Sequence, residues 1–234
     1  MKMQMAAGVM LCGMLFQVDA QTVDPKLMTE VTAVRQEVAR SLAQLNNYKW
    51  IEHTEVYIKG DLKSKKDMEC MYDEKGVVSK SPIVNGKKQK PEEDANALSN
   101  RPLVRKKADT EDYIERAVSM IHSYVPPKPD QMNFMLTNNY AYLGKSAGGQ
   151  SEIRFKKYLV EGDSVVYTYD AKTKVLKQIG ILSNLGNAKD KVTMEAAFQQ
   201  LPDGTNHMAT MVLKAPAKKI EIRTTNSSYQ KLGS

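Results

Sequence analysis

Residues 151–228 alternate short β-branched or aromatic runs with turn residues, and this pattern constrains the fold more than any other feature of the chain. Ile153 and Phe155 alternate with charged neighbours, which is the period of a half-buried β-strand. Gly162 and the segment 202–204 supply turn residues between such runs. We predict about six strands here. Their connections are too short for parallel crossovers, so the strands should be antiparallel.

Within this stretch, a helix is the alternative for residues 194–200, which contain helix-favouring Glu, Ala and Gln. Val192, Met194 and Phe198 nevertheless share one face of a two-residue period, and a turn follows at 202–204. This pattern favours a strand over a helix.

The first half of the chain combines helices and strands. Asp24 and Pro25 form a helix start, and apolar residues recur every three or four positions over 27–45. Strands are predicted at 48–59, 65–72 and 77–84. A second amphipathic helix is predicted over 109–124, with its apolar stripe at Ile114, Ala117, Val118 and Ile121.

The segments between these elements are less regular. Residues 87–107 are polar and are predicted to form a long loop with room for a short helix at 92–98. The prolines of 125–129 predict a stiff connector. Residues 130–150 are too apolar for a free linker and stay ambiguous. The Gly-rich segment 144–149 lacks the spacing of a phosphate loop and is predicted to be flexible.

Residues 1–20 have the pattern of a secretory signal peptide. Lys2 precedes an uncharged apolar core that is too short to cross a bilayer, and Ala20 precedes the expected cut. Leu11 argues against lipidation of Cys12, and a membrane anchor or a buried first helix is the alternative. We expect a periplasmic or otherwise exported protein with one domain, residues 21–234.

The net charge and the cysteine content limit the partners and the chemistry that we expect. The formal net charge of +7 suits anionic lipid headgroups or nucleic acid, but export argues against nucleic acid. The lysines are spread over many turns, which is also typical of a solvated surface. Cys70 is the one cysteine after residue 20. We expect it to be a small buried strand residue, with a nucleophile as the alternative.

The sequence carries no recognisable catalytic motif. His53, His122 and His207 lie on three separate elements without metal-ligand spacing, and no G-x-S-x-G occurs. We predict a protein without enzymatic activity, cofactor or metal. A site assembled from residues distant in sequence is the alternative.

The order of elements resembles the LolA/LolB-like family of periplasmic lipoprotein carriers, the outer-membrane lipoprotein-sorting proteins. The resemblance lies in the helix and strand of 27–60, the helix of 109–124 and the strand series of 163–225. It implies an α+β fold, namely an incomplete antiparallel β-barrel of about nine strands. An N-terminal and a central helix would pack on this barrel or lid it, and its concave apolar face would receive acyl chains.

A sheet of this width tends to hold a ligand because its own side chains do not fill it. Methionines on the predicted strands, such as Met68 and Met194, suit a variable alkyl chain, although methionine on a strand is also ordinary core. The predicted lining residues are Trp50, Val56, Ile58, Met68, Tyr167, Val192, Met194, Phe198, Ile220 and Ile222.

Two functions are consistent with these patterns. The first is a carrier of a lipid or lipoprotein acyl chain, with an anionic membrane surface as a further partner of the basic loops. The alternative is a non-catalytic structural or interaction protein of the bacterial cell envelope, with a solid core.

Overall fold

The computed structural model describes residues 24–74, 76–84, 87–88, 101–124, 129–146 and 148–233, with only the backbone described at 84, 87–88 and 101–108. The signal-peptide prediction for 1–20, the short helix predicted at 92–98 and most of the 125–129 connector lie outside these residues.

The described residues form three α-helices and eleven strands. The helices are α1 (Pro25–Leu45), α2 (Arg101–His122) and α3 (Pro129–Thr137). The strands of the first half are β1 (Tyr48–Ile58), β2 (Asp61–Tyr72), β3 (Val78–Val84) and β4 (Lys87–Lys88). The strands of the second half are β5 (Ala141–Lys145), β6 (Gln150–Lys156), β7 (Ser164–Asp170), β8 (Leu176–Asn184), β9 (Lys191–Gln200), β10 (Asn206–Ala215) and β11 (Ile220–Lys231).

All the strands belong to one open antiparallel sheet. Its order is β4-β3-β2-β1-β11-β10-β9-β8-β7-β6-β5, so the first long strand pairs with the last one. The sheet does not close, because β4 and β5 are its two edges. The prediction of an α+β fold with an incomplete antiparallel barrel is confirmed. The strands beyond the predicted nine are the two-residue β4 and the short β5.

Helix α1 begins where the sequence predicts. The Asp24 side chain accepts a hydrogen bond from the Lys26 amide at 2.9 Å, and Pro25 occupies the first turn. The buried stripe of Leu27, Val31 and Val34 packs the helix against β5, β6, β8 and β10. Helix α1 therefore fills the concave face of the second half of the sheet.

The core lies under the three helices. Val165, Val192 and Met135 are fully buried there, and Phe155 and Leu213 are nearly so. Strands β2 and β3 contribute far less to it, since Cys70 is the one buried residue of β2. The described part of the sheet thus has a filled half and a more open half.

Two local predictions are wrong. Helix α2 begins at Arg101, inside the predicted loop of 87–107, because Pro102 is pre-organised for a first turn and the following Leu, Arg and Lys favour helix. The ambiguous stretch 130–150 contains α3 and β5, so part of the predicted 144–149 loop is strand.

Candidate functional site

A groove of about 840 Å³ lies between α2 and the strands β1, β2 and β11. The groove lies at the boundary between the half of the concave face that α1 fills and the more open half around β2 and β3. Its walls are Thr54, Val56, Ile58, Lys63, Ser64, Lys66, Thr110, Glu111, Ile114, Glu115, Val118 and Ile222.

The floor of the groove is apolar. Val56 and Ile58 of β1 alternate with outward residues, and Val56 lies directly opposite Ile222 of β11. Helix α2 adds Ile114 and Val118, which are four residues apart and so share one face. Branched aliphatic side chains therefore face one another across the groove.

The rim is polar and carries both signs of charge. Lys63 and Lys66 stand on the sheet side, and Glu111 and Glu115 stand on the helix side. Lys63 Nζ lies 3.1 Å from Asp61 Oδ2. An amphiphile with a charged or zwitterionic head and an alkyl tail matches this arrangement of polar rim and apolar floor.

Two tyrosines hold α2 in place over the sheet. The Tyr113 hydroxyl donates to Asp190 Oδ1 at 2.5 Å, and the Tyr124 hydroxyl donates to Asp163 Oδ2 at 2.6 Å. Burial and the hydrogen bond to Asp190 raise the pKa of Tyr113 to about 12. Burial and the hydrogen bond to Asp163 likewise raise the pKa of Tyr124. Both hydroxyls are therefore neutral donors at physiological pH, and they fix the helix that forms one wall of the groove.

A third tyrosine–carboxylate contact fixes α1. The Tyr169 hydroxyl donates to Glu30 Oε2 at 2.8 Å, and Lys174 Nζ lies 2.8 Å from the same oxygen. Burial acts to raise the pKa of Glu30, but the hydrogen bonds and the charge of Lys174 outweigh it, so this pKa is lowered.

Beyond the groove, the concave face ends in an aromatic cluster. Trp50 stacks on Tyr229 with a centroid distance of 5.7 Å and lies 5.5 Å from Tyr72. His207 lies 4.2 Å from the Tyr229 ring, and burial lowers the pKa of His207. Glu52 lies on the same face of β1 as Trp50, and Lys80 Nζ donates to its carboxylate at 2.7 Å. This end of the face is occupied by packed rings and an ion pair.

The structure separates the predicted lining residues into four sets. Val56, Ile58 and Ile222 line the groove together. Trp50 belongs to the aromatic cluster, and Met68 and Phe198 are half-buried. The others, Tyr167, Val192, Met194 and Ile220, are buried in the core under the helices.

The helix wall of the groove was not among the predicted lining residues. Ile114 and Val118 were identified as the apolar stripe of a helix, which the sequence cannot distinguish from ordinary packing. The signal that could have found them is the pair of acidic residues, Glu111 and Glu115, spaced by four along the same helix.

A second hollow of about 640 Å³ lies near the end of β11. It is lined mostly by polar side chains, including Lys49, Glu69 and Gln230. Lys49 Nζ lies 3.8 Å from Glu69 Oε2. Such a lining does not suit an alkyl chain.

The described part of the chain has neither a cluster of metal ligands nor a membrane-spanning helix. There, no three His, Cys, Asp or Glu side chains come close enough together to hold a metal ion. None of the helices described has both the length and the apolar character that crossing a bilayer requires.

Similar folds occur among solved structures. A DUF1329 family protein from Desulfovibrio piger is 7% identical to this chain, with a TM-score of 0.40. The match covers 86% of this chain and 93% of that one. A putative outer membrane lipoprotein-sorting protein domain from Vibrio parahaemolyticus is 10% identical to this chain, with a TM-score of 0.41. The match covers 89% of this chain and 94% of that domain. The MucA/MucB complex of Pseudomonas aeruginosa gives 9% identity and a TM-score of 0.22, covering 87% and 100%.

A lipoprotein-sorting protein domain, of the class that the element order resembles, is thus among the solved structures that match. No family model matches the sequence. No curated protein matches it either.

Proposed function

We propose that this protein binds the alkyl chain of a lipid or of a lipoprotein in the groove between α2 and β1, and carries it without chemical change. The observation that supports this proposal is the groove of about 840 Å³, with its aliphatic floor and its polar rim. We further propose that the protein works outside the inner membrane after removal of residues 1–20.

The energetics favour reversible binding. Burial of an alkyl chain contributes about 0.8 kcal/mol per methylene, so ten buried methylenes contribute about 8 kcal/mol. Lost translational and rotational freedom offsets several kcal/mol of this. We therefore expect micromolar or weaker dissociation constants, which suit a protein that must release its cargo.

Binding of a fluorescent fatty acid tests the proposal. Val118→Trp places an indole in the groove and should weaken binding at least tenfold. Val77→Trp is the matched control, because Val77 is exposed in the turn between β2 and β3, away from the groove. Equal affinities of the two variants, or no uptake by the wild type, would contradict the proposal. Native mass spectrometry of protein purified from cells should also show a bound lipid, and N-terminal sequencing should begin at Gln21.

An anionic membrane surface is the partner that we propose for the basic loops. Exposed Phe134 packs against Tyr140, whose ring centroid lies 6.0 Å from Lys157 Nζ, and exposed Leu159 and Val160 follow Lys157 in the chain. Apolar side chains beside lysines suit a lipid interface that carries negative charge. Co-sedimentation with phosphatidylglycerol vesicles should exceed that with phosphatidylcholine vesicles and fall with added salt. Equal sedimentation with both kinds of vesicle would exclude an electrostatic contribution to membrane binding.

A structural or interaction protein of the envelope is the second candidate. The filled core under the helices, with Val165 and Val192 fully buried, favours it. A stoichiometric protein partner in a pulldown, together with no lipid uptake, would select this function over the carrier.

A further inference from the structure

Three side chains on the convex face of the sheet form a hydrogen-bonded series. His53 Nδ1 lies 2.8 Å from Asp67 Oδ1, and His53 Nε2 lies 3.1 Å from Ser227 Oγ. A carboxylate only accepts hydrogen bonds, so the neutral imidazole carries its proton on Nδ1. Nε2 is then free to accept the hydroxyl proton of Ser227.

The strand register brings these residues together from distant parts of the sequence. His53 of β1 is directly opposite Asp67 of β2, and Ser227 of β11 is opposite Ile51, two residues from His53. His53 and Ser227 are separated by 174 positions. No motif search along the sequence could detect such a pairing.

The series is separate from the groove. Thr54 and Val56 of β1 line the groove, and His53 projects from the opposite face because successive side chains alternate along a strand. The side chains of His53 and Asp67 are each 37% exposed, so a substrate can reach them from solvent.

A β-bulge follows Ser227. The ladder between β1 and β11 passes from the pair Ile51–Ser227 directly to the pair Lys49–Gln230. Ser228, in the bulge, has a φ of 54°, which is unusual for a residue with a side chain. A bulge leaves backbone groups outside the regular ladder and often lies beside an active site. The amides at 228 and 229 are therefore candidate donors to a developing oxyanion next to Ser227.

We propose that Ser227, His53 and Asp67 form a hydrolytic site for acyl esters, with Ser227 as nucleophile, His53 as general base and Asp67 as the residue that positions His53. Ser227 Oγ bonds to the ester carbonyl carbon while its proton passes to His53 Nε2. The bond from that carbon to the leaving oxygen breaks, and the alcohol takes the proton from Nε2. Water then repeats the sequence on the acylated Ser227, which releases the carboxylic acid and restores the hydroxyl.

The location defines the class of substrate. The site lies on an open sheet face, so it holds the acyl group and little else of the substrate. We expect preference for small or activated esters, such as p-nitrophenyl acetate, over long-chain esters that need a pocket.

A fluorophosphonate probe tests the assignment. The full-length protein should gain one adduct, and peptide mapping should locate it on Ser227. Ser227→Ala and His53→Gln should each reduce labelling and p-nitrophenyl acetate hydrolysis at least tenfold. Asp67→Asn should reduce both, and Asp67→Glu, which restores a carboxylate, should recover part of the loss. Ser79→Ala, which removes an exposed serine hydroxyl from β3 on the same face of the sheet, is the matched control and should behave as wild type.

Two results would overturn the proposal. The first is a wild-type protein whose Ser227 stays unmodified by the probe. The second is Ser227→Ala hydrolysing the ester as fast as wild type while His53→Gln does not, which would make His53 a simple surface nucleophile. Far-ultraviolet circular dichroism of each variant separates these results from misfolding. Neither result bears on alkyl binding in the groove, which the fatty-acid titration measures independently.

Discussion

The hydroxyl of Tyr124 lies in the interior, where it donates to Asp163 at 2.6 Å and contacts Ser183 Oγ at 2.7 Å. Asp163 also accepts hydrogen bonds from the amides of Tyr158, Leu159 and Val160. One buried carboxylate therefore joins the end of α2 to the loop after β6. The exposed side chains of Leu159 and Val160 are held outward by this loop geometry.

Tyr124→Phe should lower the free energy of unfolding by about 1–3 kcal/mol, because it leaves buried polar partners short of a hydrogen bond. Urea denaturation measures the change. Tyr57→Phe is the control, since it removes a hydrogen bond to Glu55 at the surface and should change stability by less than about 0.5 kcal/mol. Similar stabilities of the two variants would show that the Tyr124 contact has no such role.

Cys70 is fully buried, and burial raises the pKa of its thiol from 9.0 to about 11. At pH 8 its thiolate fraction should thus be about 100-fold below that of the unfolded chain. In a Cys12→Ser background, a disulfide reagent should label native protein at least that much more slowly than protein in urea. Because the folded pKa is the higher one, the contribution of Cys70 to stability is complete below pH 9 and is lost as the pH rises through 11. Rapid native labelling at pH 8 would contradict the burial.

Among the elements, α1 depends on one ionised side chain. The lowered pKa of Glu30 means that the folded state favours its carboxylate. Its contribution to stability is present above the ordinary pKa of 4.5 and is lost as the pH falls through the folded value.

Glu30→Gln should therefore reduce the loss of stability on acidification below pH 4.5, as well as lowering stability at pH 7. Thermal unfolding at a series of pH values checks both effects. Glu37→Gln on the same helix is the control, since Glu37 pairs with the exposed Arg40. If Glu30→Gln lost as much stability below pH 4.5 as wild type does, Glu30 would not be the source of that loss.

The elements also show what the sequence could predict. Alternation located nine of the strands, because it depends only on neighbours in the chain. Val56, Ile58 and Ile222 were placed on the concave face for the same reason. The start of α2 was missed, although Asn100 and Pro102 are typical of a helix start, because the residues of 87–107 are polar and show no apolar stripe. The pairing of β1 with β11, and with it His53 with Ser227, depends on contacts across the whole chain and has no local signature.

For the whole molecule, the two halves of the sheet should differ in local stability. Strands β7 to β10 lie under the helices with most inward residues buried, whereas most residues of β2 are exposed or half-buried. Local opening is easier where few apolar contacts form.

Hydrogen–deuterium exchange should therefore be faster in β2 and β3 than in β7 to β9, by about tenfold or more. A bound fatty acid should slow exchange in β1, β2 and α2 and leave β7 to β9 nearly unchanged. Uniform exchange across the sheet, or protection confined to β7 to β9, would contradict this division.

The pairing of β1 with β11 has a consequence for how the chain matures. During synthesis, the hairpin of β1 and β2 emerges first but can join the remaining sheet only through the strand made last. A nascent chain that lacks β11 can assemble β5 to β10 as a meander. Its hairpin of β1 and β2 then has no strand through which to join them. Complete folding must then await synthesis of β11, and until that strand is made β1 and β2 stay apart from the rest of the sheet.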